Sequence, residues 1–103
     1  MKLAFDETLT ALAEERPINR SDIRADVLRR KVWRMTYGAP GCLPDYSEVR
    51  RTRRGAIDTA RLLYADDAPR GFMTVLKRDG IAGADGHGFY RVEISRVQIE
   101  ELF

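Results

Sequence analysis

The sequence predicts an α+β fold: two N-terminal helices followed by a β-α-β-β core, with a small sheet carrying its helices on one face. Three observations carry this expectation. Apolar residues recur at helical spacing near the N-terminus and again in the middle of the chain. A seven-residue stretch between them switches to alternation, and the C-terminal third holds two apolar runs separated by a glycine-rich segment.

The elements follow in order. "FDETLTALAEER" sets Phe5, Leu9, Leu12 and Ala13 on one helical stripe, with Asp6 and Glu7 where the helix dipole favours acids, and Pro17 closes it. "NRSDIRADVLRRKV" opens a second helix, with Asn19 or Ser21 as N-cap. It buries Ile23, Val27 and Leu28 and turns Arg24, Arg29, Arg30 and Lys31 outward. "KVWRMTY" alternates Val32, Arg34 and Thr36 against Trp33, Met35 and Tyr37, the pattern of a strand. "TRRGAIDTARLLYADD" places Ala56, Ile57, Ala60, Leu63 and Tyr64 on one helical face, with Thr52 as N-cap and Asp66, Asp67 and Pro69 as the stop. "GFMTVLKR" and "GFYRVEISRV" read as two strands around the loop "DGIAGADGHG", and "QIEELF" fits either a strand continuation or a helical turn. The chain divides into a helical segment, 1–31, and a β-α-β-β core, 32–103, of a single domain.

Composition narrows the function classes. With 103 residues, 44% of them hydrophobic and 33% charged, the chain has the makeup of one small globular domain with little area for a deep enclosed pocket, which disfavours cofactor chemistry. No cofactor is expected. A net charge of +2 from 18 basic and 16 acidic residues is too small for a protein that coats nucleic acid, so any such role must rest on local clustering. The single cysteine excludes an intramolecular disulfide. The N-terminal stretch is broken by Asp6, Glu7, Glu14 and Glu15, unlike a signal peptide, and no apolar run approaches membrane-spanning length; the expectation is a cytoplasmic protein with no membrane partner.

Between strand and helix lies "MTYGAPGCLPDYSEVRRTRR", residues 35–54. Pro40-Gly41 is a turn dipeptide and Pro44 holds Leu43 extended, so this stretch reads as a rigid connector. "VWRMTYGAPGCLPDYSE" followed by "AIDTARLL" resembles small uncharacterised proteins of bacterial, phage or plasmid genomes that share a Trp-bearing strand, a Pro-Gly-x-Leu-Pro-Asp/Glu loop and a helix. The resemblance covers about a third of the chain. It implies no activity and points to an accessory protein of a mobile element.

The chemistry-bearing residues give little support to catalysis. Cys42 with His87 and Asp45 or Asp85 would be needed for a Cys-dependent enzyme, but nothing in their spacing sets them together, and Cys42 reads as a packing residue. Asp79, Asp85 and His87 lack the alternate acids and distal Glu of a calcium loop, and one Cys with one His cannot make a structural zinc site, so no metal site is expected. The glycines match no phosphate-binding loop. What stands out is Arg50, Arg51, Arg53 and Arg54 at the predicted start of the third helix, where positive charge opposes the dipole. Asp45, Glu48 and Asp58 are candidate internal partners; phosphate or a partner's carboxylate is the external one. Tyr46 beside them is the candidate exposed ring, whereas Trp33 reads as core. The function expected is therefore a non-enzymatic interaction module that binds a protein partner through Arg50, Arg51, Arg53, Arg54 and Tyr46, or through the rigid connector or a strand edge. Nucleic-acid binding by the same arginines is the alternative, and the reading leaves room for a homo-oligomer.

Overall fold

The computed structural model describes residues 1–39, 46–64, 66, 68–83 and 91–103. Four strands, β1 (Lys31–Gly38), β2 (Tyr46–Arg50), β3 (Ile81–Ala82) and β4 (Arg91–Gln98), form one sheet in the order β2-β1-β4-β3, with every neighbouring pair antiparallel. The helices among the described residues are α1 (Phe5–Ala13), α2 (Ala25–Leu28), α3 (Arg53–Tyr64) and α4 (Phe72–Asp79). Two 3-10 turns, at Arg20–Asp22 and Ile99–Leu102, complete the elements. The α+β class holds, but the element order differs from the β-α-β-β expectation.

The first correction is α4. Residues 71–78, expected to be a strand, are helical apart from Gly71. Phe72 and Leu76 are four apart and both buried, which a strand would also place on one face. The deciding signals lie at the ends: Gly71 and Gly80 both adopt left-handed backbone conformations, with φ of 85° and 75°, and Lys77 and Arg78 complement the C-terminal dipole. Gly80 closes the helix by donating to the Leu76 carbonyl at 2.9 Å. In the last turn, a hydrogen bond from Arg78 holds the Asp79 carboxyl below its usual range. This exposed pair is in place at neutral pH and is lost as pH falls through the folded-state value.

The second correction is β2. "YSEVR", taken as connector, pairs with β1 from Tyr37↔Tyr46 to Trp33↔Arg50, so the stretch between β1 and α3 is the second half of a hairpin. Residues 40–45, which connect the two strands, lie outside the described residues. A third difference concerns the second helix, which is a 3-10 turn and a single α turn. Arg24, with ψ of 141°, breaks the helical path. Asp22 accepts the Asn19 N–H at 2.7 Å, and Ile23 is extended, bridging in parallel to Leu3.

Helices cover both faces of the sheet, not one. Side chains of adjacent strand residues point to opposite faces, and both Val32 and Met35 are fully buried. Met35, Val92 and Ile94 share the face covered by α3 and α4, where Ala56, Ile57, Ala60, Tyr64, Phe72 and Leu76 complete one core. Trp33 and Tyr37 pack against it, and the Tyr37 and Tyr64 rings meet edge-on at 5.0 Å. Val32 and Val97 share the other face. There they pack with Ile23, Val27 and Ile99, flanked by Phe5, Leu9, Leu28, Val49 and Leu102. Sequence patterning located the buried alternate of β1 but assumed that its opposite face was open.

Two outcomes test this architecture. Ile57→Asp, which places an unpaired carboxylate in the α3/α4 core at a site only 4% exposed, is expected to abolish the cooperative thermal transition seen by near-UV circular dichroism. Gly80→Ala puts a Cβ at 3.3 Å from the Ile94 carbonyl on a backbone of positive φ, so a loss of about 1–2 kcal/mol is expected in urea unfolding. An unchanged midpoint would contradict the left-handed cap.

Candidate functional site

The four arginines of the predicted patch take separate roles. Arg50 ends β2, where its Nη2 lies 3.4 Å from Glu48 Oε2 and its Nη1 donates to the Val49 carbonyl at 2.8 Å. Arg51 pairs with Asp6 of α1, and its guanidinium lies 5.2 Å from the centre of the Phe5 ring. Thr52 caps α3 by accepting the Gly55 N–H at 3.0 Å. Arg53 donates from Nη2 to the Lys77 carbonyl at 2.7 Å, in the last turn of α4, and Arg54 Nε lies 4.0 Å from Asp58 Oδ2. Arg51 thus reaches the α1 side of the sheet and Arg53 the α4 side, and the four heads do not converge on one ligand. Tyr46 pairs with Tyr37 at the start of β2. Cys42, Asp45, Asp85 and His87 lie outside the described residues.

A groove near the N-terminus of α1, about 530 Å³ in volume, is lined by Phe5, Arg24, Arg30 and Arg51 together with Asp6 and Asp26. Its charges are internally satisfied to a large degree. Arg24 pairs with Asp26 at 3.0 Å, Arg51 pairs with Asp6, and Arg30 lies 3.7 Å over the Phe5 ring.

The open half of the second sheet face is different. Beyond Val32, this face of β1 continues with Arg34 and Thr36, set against Val49 and Ser47 of β2 and against Ser95 and Glu93 of β4. Arg34 lines a groove of about 230 Å³ with Leu12 and Ala13 at the end of α1, Glu15 just past it, Ser47 to Arg50 of β2, and Glu101 and Leu102. Its Nε is buried with no hydrogen-bond partner, and its guanidinium pairs with no carboxylate among the described residues. Buried polar groups in folded proteins are almost always bonded, so an orphaned guanidinium nitrogen requires an explanation. Arg91 offers the contrast: its Nε is also buried without a partner, but its Nη2 meets Glu93 Oε2 at 3.1 Å and the charge is matched.

Glu15 forms one lip of this groove in a left-handed conformation, φ 55°. It sits just past the end of α1, where Arg16 N–H bonds the Ala11 carbonyl at 2.9 Å and Glu15 N–H bonds the Leu12 carbonyl at 3.2 Å. This is the helix-ending arrangement in which glycine is favoured, because a Cβ strains the backbone. The four groove residues of β2 are consecutive and so belong to both faces of the strand. The groove therefore borders the edge strand β2 and extends over β1 to the end of α1.

Among the described residues, no group of three or more His, Cys, Asp or Glu side chains is placed to hold a metal ion, and no helix is long and apolar enough to cross a membrane. No family model, curated protein or solved structure matches the chain. Sequence reasoning placed Arg34 in the first strand but passed over it as a site. The signal was its parity: an arginine two residues from Val32, on the same face as a buried apolar side chain.

Replacing Glu15 with glycine tests whether that residue costs the fold stability. Glu15→Gly is expected to raise stability by about 1 kcal/mol, seen as a melting temperature higher by about 4–8 °C in calorimetry. A lower melting temperature would mean that the Glu15 side chain supports the fold.

Proposed function

We propose that this chain is a small non-enzymatic interaction module that binds a segment of a protein partner along the outer edge of β2. The observation that carries the reading is Arg34, a half-buried guanidinium with no carboxylate partner among the described residues, in a groove bordered by the edge strand. Edge strands offer unpaired N–H and C=O groups to an added extended segment, and neighbouring side chains supply specificity. The resemblance in the Trp strand and following loop fits an accessory protein of a mobile element, a class in which a small domain acts by binding.

Nucleic-acid binding through Arg50, Arg51, Arg53 and Arg54 is the competing reading. It is less favoured because these heads have partners within the chain and spread over two sides of the sheet. The groove also carries Glu15, Glu48 and Glu101, which repel a polyanion.

Selection from a random peptide library on the immobilised protein, with parallel titration of a mixed-sequence DNA duplex, separates the two. A protein-binding module enriches a related set of peptides and binds the duplex no tighter than about 100 μM near physiological salt, the weak end of non-specific association. Micromolar duplex binding that falls steeply with salt, and disappears when Arg50, Arg51, Arg53 and Arg54 are all changed to Glu, would replace this reading with the nucleic-acid one.

A further inference from the structure

We infer that the Arg34 groove selects an extended peptide segment of a partner bearing an acidic residue, which Arg34 takes, next to a basic residue, which Glu15 takes. The inference rests on the protein-binding reading above and specifies the chemistry of its site. Arg34 and Glu15 line the same groove, and neither has an ion-pair partner among the described residues, including each other. A guanidinium recognises a carboxylate through two parallel N–H donors, and the end-on fork uses its two Nη groups. In Arg34 neither Nη has a hydrogen-bond partner among the described residues, and these two groups, not the Nε closed off from solvent, are what an incoming carboxylate meets.

Of the other charges lining the groove, only Arg50 and Glu48 form an ion pair among the described residues. Arg50 and Glu48 pair at 3.4 Å, and Glu101 accepts the Gln98 N–H at 3.0 Å. Among the described residues the groove therefore presents one cation without a carboxylate partner, Arg34, and two carboxylates without a cation, Glu15 and Glu101. An isolated carboxylate satisfies Arg34 and leaves Glu15 in a repulsive position. A polyanion meets repulsion from Glu15 and from the neighbouring Glu101, and a polycation meets repulsion from Arg34. A segment carrying both signs matches both residues, so the pair discriminates by repulsion as well as by attraction. The edge strand sets the geometry of such a segment. In an extended chain, side chains two apart lie on the same side, so the acidic and basic residues of the partner are expected at i and i+2.

The test uses the peptides selected on the intact protein. The expected result is that they share an acidic and a basic residue two apart, that replacing the acidic residue by its amide weakens binding to wild type about 10- to 100-fold, and that Arg34→Gln shows the same loss. In a double-mutant cycle the two losses do not add. Glu15→Gln is expected to lower the preference for the basic residue while leaving the requirement for the acidic one. The peptide amide substitution leaves the protein untouched, so the test stands even where Arg34→Gln folds poorly. The guanidinium Nη–H resonances of Arg34 provide an independent readout and are expected to move downfield on addition of the acidic peptide only. Selected peptides that bind without any acidic residue, or bind Arg34→Gln as well as wild type, would overturn the inference and leave the protein-binding reading intact. Failure to enrich any peptide would overturn that reading itself.

Discussion

The pairing of β1 with β4 is the constraint on which the rest of this structure depends. These two strands run antiparallel over their full eight residues at the centre of the sheet, and each supplies alternate side chains to opposite faces. Met35 beside Ile94 roots the core under α3 and α4; Val32 beside Val97 roots the core under α1 and α2. Because side chains reverse face at every residue, a slip of one position would turn Trp33 towards the N-terminal helices and Val32 towards α3. Register is therefore fixed from both faces at once, which is stronger specification than a sheet with a single buried face receives.

The same two-sided plan resolves the apparent conflict of positive charge at the start of α3. Viewed within one helix, Arg53 sits at the dipole end that disfavours it. In the folded chain its guanidinium reaches the last turn of α4, where carbonyls without helical partners make up the negative end of the neighbouring dipole. Arg51, next to it, turns the other way to Asp6, in the first turn of α1. Both arginines tie a helix terminus to a second helix. Arg34, on the sheet, has no such tie: among the described residues no carboxylate pairs with it.

What could be read from the sequence follows from how local each signal is. The Thr52 cap and the stripe of Ala56, Ile57, Ala60 and Tyr64 are local to α3 and are found where capping and periodicity put them, whereas Leu63, which the periodicity sets on the same face, is 45% exposed. β1 was equally plain from its alternation. In α4 the bulky Phe72, Met73 and Val75 outweighed the two glycines and the terminal Lys77-Arg78, although those end signals decide the structure. β2 was hidden because its alternation is carried by Ser47, Glu48 and Arg50, with Val49 as the single aliphatic residue. Its strand character comes from β1 beside it. The groove was the least legible feature, since it joins Glu15, Arg34 and Glu101, residues from three separated stretches that only the sheet brings together.

The position of β4 in both space and sequence has a consequence for how the fold is reached. It is the last strand in chain order and a central strand in the sheet, and both cores contain its side chains. The β1–β2 hairpin and the helices can form early, but neither face can be sealed until residues 91–98 insert between β1 and β3. Such a chain gains little from partial structure: its contacts of long sequence separation are made together or not at all, and its two cores acquire their stability in a single step.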